Sequence, residues 1–265
     1  TQEVGEKAKG MTDVAKLQYE MRSKEDFLNK QYQEIGKIFY QENKDAAPEA
    51  YTSLFEEVVA AQKRIEEIKE QIKAYCGLRF TEEELEYLHK IKWMKGSYVD
   101  FLRLWQPRYE DYEITEDAEC GLTIETFGTW LNTSLYEIPT LAIVNEVYFR
   151  MAYHYDDLLA SFEKKLDEKI TLLKNGTYNL GLFSEFGLRR RLSAGAQELA
   201  VKKLNENKYP GSTFVGTSNV FLAKKYGITP VGTMAHEWIM CVGQGNHKHN
   251  PAYSNWYALL SLIHI

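Results

Sequence analysis

The 265-residue sequence predicts an α/β protein in which a helical segment precedes a region of parallel strands. Apolar residues recur in steps of three and four through residues 1–72, as on the face of a helix. Strand-like runs alternate with helical runs after Gly176, and Gly-Thr turns follow two successive strands at Gly216 and Gly232, 16 residues apart. Strands that alternate with helices at this spacing pair in parallel.

Composition excludes several classes of protein. A hydrophobic content of 44% and a charged content of 26% are typical of a globular protein. The net charge of −6, without a basic patch, predicts no nucleic-acid partner. We find neither a signal peptide nor an apolar run of membrane-spanning length, which predicts a cytoplasmic protein without a membrane partner. The three cysteines are odd in number, far apart and without a CxxC pair, which favours reduced thiols over disulfides or a cysteine zinc site.

Residues 1–72 are predicted to form an α-helical hairpin. The break QENKDAAPEA separates two amphipathic helices, and Pro48 suits the first turn of the second helix. The apolar face of the first helix comprises Leu28, Tyr32, Ile35 and Phe39, and the heptad seam of the second comprises Leu54, Val58, Ala61, Ile65, Ile68 and Ile72. We favour a helical pair that packs on itself over an arm for interaction or oligomerisation.

The middle of the chain mixes helices and strands. FTEEELEYL opens a helix with Thr81 as N-cap and Glu84 completing a capping box, and SYVDFLRLW is a second short helix. YEDYEI and LTIETF alternate apolar and polar residues as strands do. A mostly helical segment then runs from EIPTLAIV to Gly176.

The C-terminal region has a β/α rhythm with three loops at predicted strand ends. The strands YNLGLF, TFVG and ITPVG are followed by the loops SEFGLRRR, GTSN and GTMA, and helices begin near Ser193, Asn219 and His236. In parallel α/β folds, ligands bind where strands end and helix N-termini point.

These loops predict a pocket for a small anionic substrate, most simply a phosphorylated one. Glycines allow close backbone approach, the arginines of SEFGLRRR bind carboxylate or phosphate, and Thr217, Ser218 and Thr233 add hydroxyls. Each element has an ordinary alternative: a solvated arginine run, a common GTS turn, and a hydrogen-bonded structural histidine at His236. His247 and His249 are spaced i, i+2 without a nearby carboxylate or cysteine ligand, so we predict a polar loop and no metal site.

Three motifs in order, EIPTLAIVNEVYF, FSEFGLRRRLS and FVGTSNVFLAKKYGITPVGTMAHEW, resemble the ATP-coupled bacterial nicotinate phosphoribosyltransferase family over about residues 73–258. The resemblance implies a remnant of a mixed α/β domain at 73–135 and part of an irregular α/β barrel, of the type II phosphoribosyltransferase kind, at 136–260. It implies that nicotinate and phosphoribosyl pyrophosphate give nicotinate mononucleotide and pyrophosphate, with ATP and Mg²⁺ as cofactors and often a homodimer.

The resemblance also assigns roles to single residues. His236 matches the histidine that ATP phosphorylates in the catalytic cycle. Leu188 and Arg189 match the position that holds nicotinate, where Arg189 would bind the carboxylate, and Thr217 and Ser218 lie in the matching GTSN turn.

Three departures accompany this resemblance. Residues 1–72 replace the family's N-terminal segment and resemble the helical part of a small bacterial zinc-ribbon protein without its cysteines. The family's later strands and phosphoribosyl-binding loops do not follow Trp256, and the tail at 261–265, within LSLIHI, resembles the translated end of a sequencing-library transposon. We therefore expect a truncated chimera that is inactive alone. The alternative is a non-enzymatic helical interaction protein with a barrel-like scaffold.

Overall fold

Helices make up most of the structure. The computed structural model describes residues 2–117, 121–233, 240, 242, 250, 252–254 and 256. They divide into two compact units, Thr1–Lys63 with Thr115–Thr123, and Arg64–Ile114 with Ile124–Ile265. The helices and strands are α1 (Gln2–Asn43), α2 (Thr52–Cys76), α3 (Glu82–His89), α4 (Gly96–Leu104), β1 (Tyr112–Asp117), β2 (Gly121–Thr126), α5 (Trp130–Thr133), α6 (Glu137–Ala152), α7 (Tyr155–Lys174), β3 (Gly181–Glu185), α8 (Ala194–Asn205), β4 (Ser212–Thr217), α9 (Val220–Tyr226) and β5 (Thr229–Pro230).

The two N-terminal helices form where the sequence predicts them, but much of the apolar face of α1 is exposed, whereas Ile68 and Ile72 near the end of α2 are buried. Near the connection, the Phe39 ring lies 6.1 Å from the Phe55 ring, centroid to centroid, in an edge-to-face contact. Leu28, Tyr32 and Ile35, which were expected to pack on the second helix, are 48%, 65% and 62% exposed. A hairpin that packs on itself along its length is therefore not confirmed.

The helices α3 and α4 build the first apolar cluster. The predicted capping box is present: the Thr81 hydroxyl accepts the Glu84 N–H at 3.3 Å, and the Glu84 carboxylate accepts the Thr81 N–H at 2.8 Å. Val220, at the start of α9, packs against this cluster, which therefore anchors α9. The buried members of the cluster are Leu85, Leu88, Ile91, Val99 and Leu102.

The predicted strand LTIETF corresponds to β2, whereas YEDYEI is strand only from Tyr112, where β1 begins, because its first three residues form a 3₁₀ turn; β1 and β2 pair as a two-stranded sheet. The predicted helical segment before Gly176 is present as α6 and α7, with a break at Tyr153 and His154. Gly176 has a φ of +68°, a left-handed conformation that glycine adopts without strain at the end of a helix.

The parallel sheet has the order β3-β4-β5, which confirms the predicted pairing and the α/β class. Phe183 lies opposite Phe214, whereas Glu185 lies opposite Thr217, because β4 contains one extra residue, Val215, between these pairs. Glu185, which the sequence assigned to a loop, is the last residue of β3. In the part of the chain that the structure describes, a closed barrel is not shown.

A second apolar cluster joins α7 to the sheet. Ile170, Leu173 and Tyr209 are buried together, and Phe183 of β3 packs against them. Because this contact packs β3 against the 20-residue helix α7, it determines where the carboxyl end of β3 lies.

Two further findings concern membrane-spanning helices and the cysteine thiols. No helix among them is both long and apolar enough to cross a bilayer. Cys76 is a buried free thiol, and burial raises its pKa to about 11, which keeps it protonated and weakly reactive. Cys120 and Cys241 lie outside the described residues.

The two Gly-Thr turns differ in their surroundings, and this difference can be tested. A methyl group on Gly216 would collide with the backbone oxygen of Thr229, whereas no atom of the described residues lies within 4 Å of the same position on Gly232. We expect Gly216→Ala to destabilise the protein by about 1–3 kcal/mol, because β4 and β5 would have to separate. Thermal and urea unfolding measure this loss. Gly232→Ala is the control, and an equal loss in both variants would contradict the interpretation.

Candidate functional site

The candidate site forms where β3 and β4 end side by side. In this parallel pair Glu185 and Thr217 are register partners at the carboxyl ends of their strands. The N–H of Ser218 donates to the Glu185 carbonyl at 2.9 Å, which extends the pairing one residue beyond β4. The loops SEFGLRRR and GTSN therefore leave the sheet together, as the sequence predicts.

The Glu185 carboxylate connects three segments of the chain. Its Oε2 atom accepts the Thr217 hydroxyl at 2.6 Å and the Gln197 side-chain amide at 3.0 Å. Its Oε1 atom accepts the backbone N–H of Gly187. One carboxylate thus holds the end of β4, helix α8 and the loop after β3.

Asn219 completes this network from the GTSN turn. Its amide group donates to Gln197 Oε1 at 3.0 Å, and its backbone N–H donates to Thr217 Oγ1 at 3.1 Å. Its Oδ1 atom accepts the Leu222 N–H at 3.2 Å, the usual N-cap bond, and so starts α9. Asn219 is itself buried, and its hydrogen bonds join the turn to α8 through Gln197 and to α9 through Leu222.

The two hydroxyls of the GTSN turn have different surroundings. Thr217 is fully buried, and its hydroxyl both donates to Glu185 and accepts from Asn219. Thr217 therefore shapes the turn instead of offering a donor to a ligand. Ser218 is half-buried, and its buried Oγ atom has no hydrogen-bond partner among the described residues, so it is the hydroxyl of this turn that the described network does not use.

Leu188 and Arg189 lie in a short 3₁₀ turn, Leu188–Arg190, directly after β3. Arg189 Nη2 lies 2.8 Å from Glu137 Oε1 at the start of α6, and each side chain is about one-third exposed. The side-chain amide of Asn145 donates to the Arg189 carbonyl at 3.3 Å. Helix α6 therefore holds this turn, and Arg189 has an internal carboxylate partner.

Arg191 has a different environment. Its Nη1 atom donates to Gln197 Oε1 at 3.2 Å, but its buried Nε atom has no hydrogen-bond partner in the described part of the chain. Burial lowers the pKa of Arg191, and the carboxylates of Glu146 and Glu185 partly oppose that effect. A guanidinium remains charged at neutral pH even so.

A cavity of about 370 Å³ lies beside this network. Its polar wall contains Glu185, Arg190, Arg191 and Gln197. Its apolar wall includes Phe149 of α6 and helix residues of α7 and α8, namely Phe162, Ala196 and Ala200. A cavity of this size, with a few polar groups on an apolar lining, is typical of a small-molecule site.

Comparison with known proteins identifies the family. Residues 38–145 match the model of the nicotinate phosphoribosyltransferase N-terminal domain, and residues 182–261 match the model of the nicotinate phosphoribosyltransferase family. The chain belongs to the nicotinate phosphoribosyltransferase family. The second match contains the whole Glu185 network, and the Arg189–Glu137 ion pair joins the two matched regions.

Three relatives show the extent of the similarity. The nicotinate phosphoribosyltransferase of Cupriavidus necator is 38% identical over 177 residues, covering 66% of this chain and 44% of the relative. That of Burkholderia mallei is 40% identical over 178 residues with the same coverage. The crystal structure of the Porphyromonas gingivalis enzyme superposes with a TM-score of 0.63 at 28% identity, covering 77% of this chain and 50% of that one. The chain spans less than half the length of these curated relatives.

The family match begins earlier than the motifs indicated. It starts at residue 38, within α1, whereas the quoted motifs placed the start near residue 73. The predicted domain boundaries, the non-native tail and the zinc-ribbon resemblance of residues 1–72 stay predictions.

Several predicted positions lie outside the described residues. His236, the predicted phosphorylation site, is one of them, as are His247 and His249. Among the described residues no group of three or more His, Cys, Asp or Glu side chains is placed to hold a metal ion. We therefore assign no residue to Mg²⁺.

The sequence did not single out the residues that organise the site. Glu185 and Asn219 lie inside the quoted loops SEFGLRRR and GTSN, where a carboxylate and an amide beside glycines were a usable signal. Gln197 lies within a helix and Glu137 begins another, and neither position has a distinguishing local pattern.

The Glu185 network predicts a specific loss of stability. Glutamine offers one acceptor oxygen where Glu185 offers two, so Glu185→Gln leaves a buried donor unpaired and is expected to cost about 1–3 kcal/mol. Equilibrium urea unfolding measures this cost. Glu198→Gln is the matched control, because Glu198 accepts from Lys225 and Tyr226 at the surface, and it should cost less than about 1 kcal/mol. Equal costs would reject a special role for Glu185.

Proposed function

We propose that this chain carries the nicotinate-binding part of an ATP-coupled nicotinate phosphoribosyltransferase. In the proposed reaction nicotinate attacks the anomeric carbon of phosphoribosyl pyrophosphate and releases pyrophosphate, giving nicotinate mononucleotide for NAD synthesis. The observation that carries the proposal is the strand-end network of Glu185, Thr217 and Asn219 beside consecutive arginines, inside the family match.

Arg189 is the proposed partner of the nicotinate carboxylate. A guanidinium has five N–H donors in one plane, so an ion pair through Nη2 leaves other donors for a second carboxylate. Glu137 would then orient Arg189 before the ligand binds. Leu188 would supply an apolar contact beside it, and Ser218 a hydroxyl from the neighbouring turn.

The chain's own contribution to the reaction would be positioning. The reaction has an oxocarbenium-like transition state, so its rate depends on holding the reactants and stabilising the leaving anion. The bonds among Glu185, Gln197 and Asn219 hold both loops before any substrate binds. We propose that Mg²⁺ enters with the pyrophosphate group of the substrate.

We also propose a partial α/β barrel, a homodimer and a cytoplasmic location, all of which rest on family resemblance and composition. The chain spans less than half the length of the curated relatives, so the readout for this site is binding and not their whole reaction. Binding of nicotinate is therefore the direct test of the proposed site.

Substitution of Arg189 tests the carboxylate assignment. Arg189→Gln is expected to weaken nicotinate binding about 10- to 100-fold, because a charge-assisted hydrogen bond contributes about 1.5–3 kcal/mol. Binding of nicotinamide, which lacks the carboxylate, should change little. Isothermal titration calorimetry on the full chain measures both ligands. Arg103→Gln, which removes a surface arginine paired with Glu82, is the control. Tighter binding of nicotinamide than of nicotinate by the unsubstituted chain would overturn the assignment.

Labelling with ATP tests the proposed phosphohistidine. Incubation with γ-labelled ATP is expected to give an acid-labile label that His236→Asn abolishes, because an imidazole nitrogen is the phosphoryl acceptor. His154→Asn, which changes an exposed histidine at the start of α7, should retain the label. Undiminished labelling of the His236→Asn variant would reject the assignment.

A further inference from the structure

Helix α6 holds the backbone between β3 and α8 at two points, through two consecutive residues. The side-chain amide of Asn145 donates to the Arg189 carbonyl at 3.3 Å. The Glu146 carboxylate reaches the other end of that segment, where its Oε2 atom accepts the N–H of Ala194 at 2.9 Å. Ala194 is the first residue of α8, so this N–H has no partner within its own helix. Glu146 therefore supplies an acceptor that the helix itself lacks.

The contacts of Glu146 continue around the same turn of α8. Its Oε1 atom accepts from Arg150 Nε at 3.0 Å and Nη2 at 2.8 Å, and the Arg150 guanidinium lies 4.2 Å from the centre of the Tyr155 ring. The Tyr155 hydroxyl donates to Oγ of Ser193, the N-cap of α8. The first turn of α8 is thus held from α6 by Glu146 and from α7 by Tyr155.

The start of α8 determines where Gln197 lies. Gln197 follows Ser193 by about one helical turn, and its N–H donates to the Ser193 carbonyl at 3.1 Å. Gln197 is buried, and its side chain bonds to Glu185 at the end of β3 and to Asn219 in the GTSN turn. A shift at the start of α8 would therefore reach both loops of the site through Gln197.

Glu146 differs from an ordinary surface ion pair. An i, i+4 pair with Arg150 on an exposed helix face would by itself contribute little to stability. The Glu146 side chain is only 23% exposed, however, against 49% for Arg150, and its second oxygen is the one that reaches Ala194. The carboxylate thus has a partner in another segment of the chain.

We propose that Glu146 is a positioning residue for the candidate site. It holds the first turn of α8 and, through Gln197, keeps the loops SEFGLRRR and GTSN in the arrangement that binds a ligand. The identity of that ligand, nicotinate at Arg189, rests on the proposed function.

Hydrogen–deuterium exchange on the full chain tests the positioning without any ligand. Glu146→Ala removes the acceptor of the Ala194 N–H. We expect it to speed exchange at the amides of Ser218 and Asn219 about 10-fold, because the turn that contains them is held by Gln197. Exchange in α3 and α4 should stay within about 2-fold, since these helices have their own apolar cluster.

Two further variants separate the acceptor role from an ion pair. Glu146→Gln retains an oxygen for the Ala194 N–H but loses the charge that pairs with Arg150, so exchange in the GTSN turn should stay within about 3-fold of that in the unsubstituted chain. Glu70→Ala is the matched control, because it removes a glutamate that pairs with Lys73 on the surface of α2, and it should leave that exchange unchanged.

Calorimetry with nicotinate then relates the position of the loops to binding. Glu146→Ala should weaken nicotinate binding about 10-fold, because a displaced binding group loses much of its contact with the ligand. In an Arg189→Gln background the same substitution should weaken binding less than about 2-fold, since Glu146 acts through Arg189.

The outcomes keep this inference apart from the proposed function. The inference is overturned if Glu146→Ala leaves exchange in the GTSN turn unchanged, speeds exchange in α3 and α4 equally, or is matched by Glu146→Gln. Unchanged nicotinate binding in Glu146→Ala, or equal weakening in the Arg189→Gln background, would overturn it as well. If the unsubstituted chain binds no nicotinate, the proposed function fails, and the exchange rates alone decide whether Glu146 positions the loops.

Discussion

The hydrogen bond from the Thr217 hydroxyl to the Glu185 carboxylate joins the ends of two parallel strands, and the rest of the site depends on it. Parallel strands bring their carboxyl ends to one edge, but they do not by themselves fix the loops that follow. Here one half-buried carboxylate accepts from a strand, a helix and a loop at once. Removing any of these donors would cost more than the bond itself, because the remaining polar groups are away from water.

The arginine run shows how backbone geometry gives neighbouring residues separate tasks. A 3₁₀ turn has three residues per turn, so successive side chains point about 120° apart. Arg189 therefore meets α6, Arg190 is exposed, and Arg191, just past the turn, points into the interior. The three arginine side chains therefore lie in three different electrostatic environments. Of the three, Arg190 is the exposed one and matches the alternative of a solvated surface arginine.

Local sequence patterns predicted the helices and strands, but they did not predict the hydrogen-bond network around Glu185. The capping box at Thr81 and the alternation of β3, α8, β4 and α9 depend on neighbours in sequence, so the sequence could predict them. The bond between Gln197 and Glu185 depends on how a helix packs on a strand, and no local spacing encodes that. The heptad seams of α1 and α2 likewise specify an apolar face without specifying what covers it. The two Gly-Thr turns are alike in sequence, yet Gly216 lies against Thr229 of a neighbouring strand, and no described residue approaches Gly232 in the same way.

The extra residue in β4 constrains the length of that strand as well as its composition. Side chains alternate between the faces of a strand, so one added residue reverses the facing of every residue after it. If the same residues paired in a regular register without the bulge, Glu185 would lie opposite Gly216, which has no hydroxyl to donate. The bulge therefore lets Phe214 and Thr217, three residues apart in β4, pair with Phe183 and Glu185, two residues apart in β3, so that the Thr217 hydroxyl meets the Glu185 carboxylate.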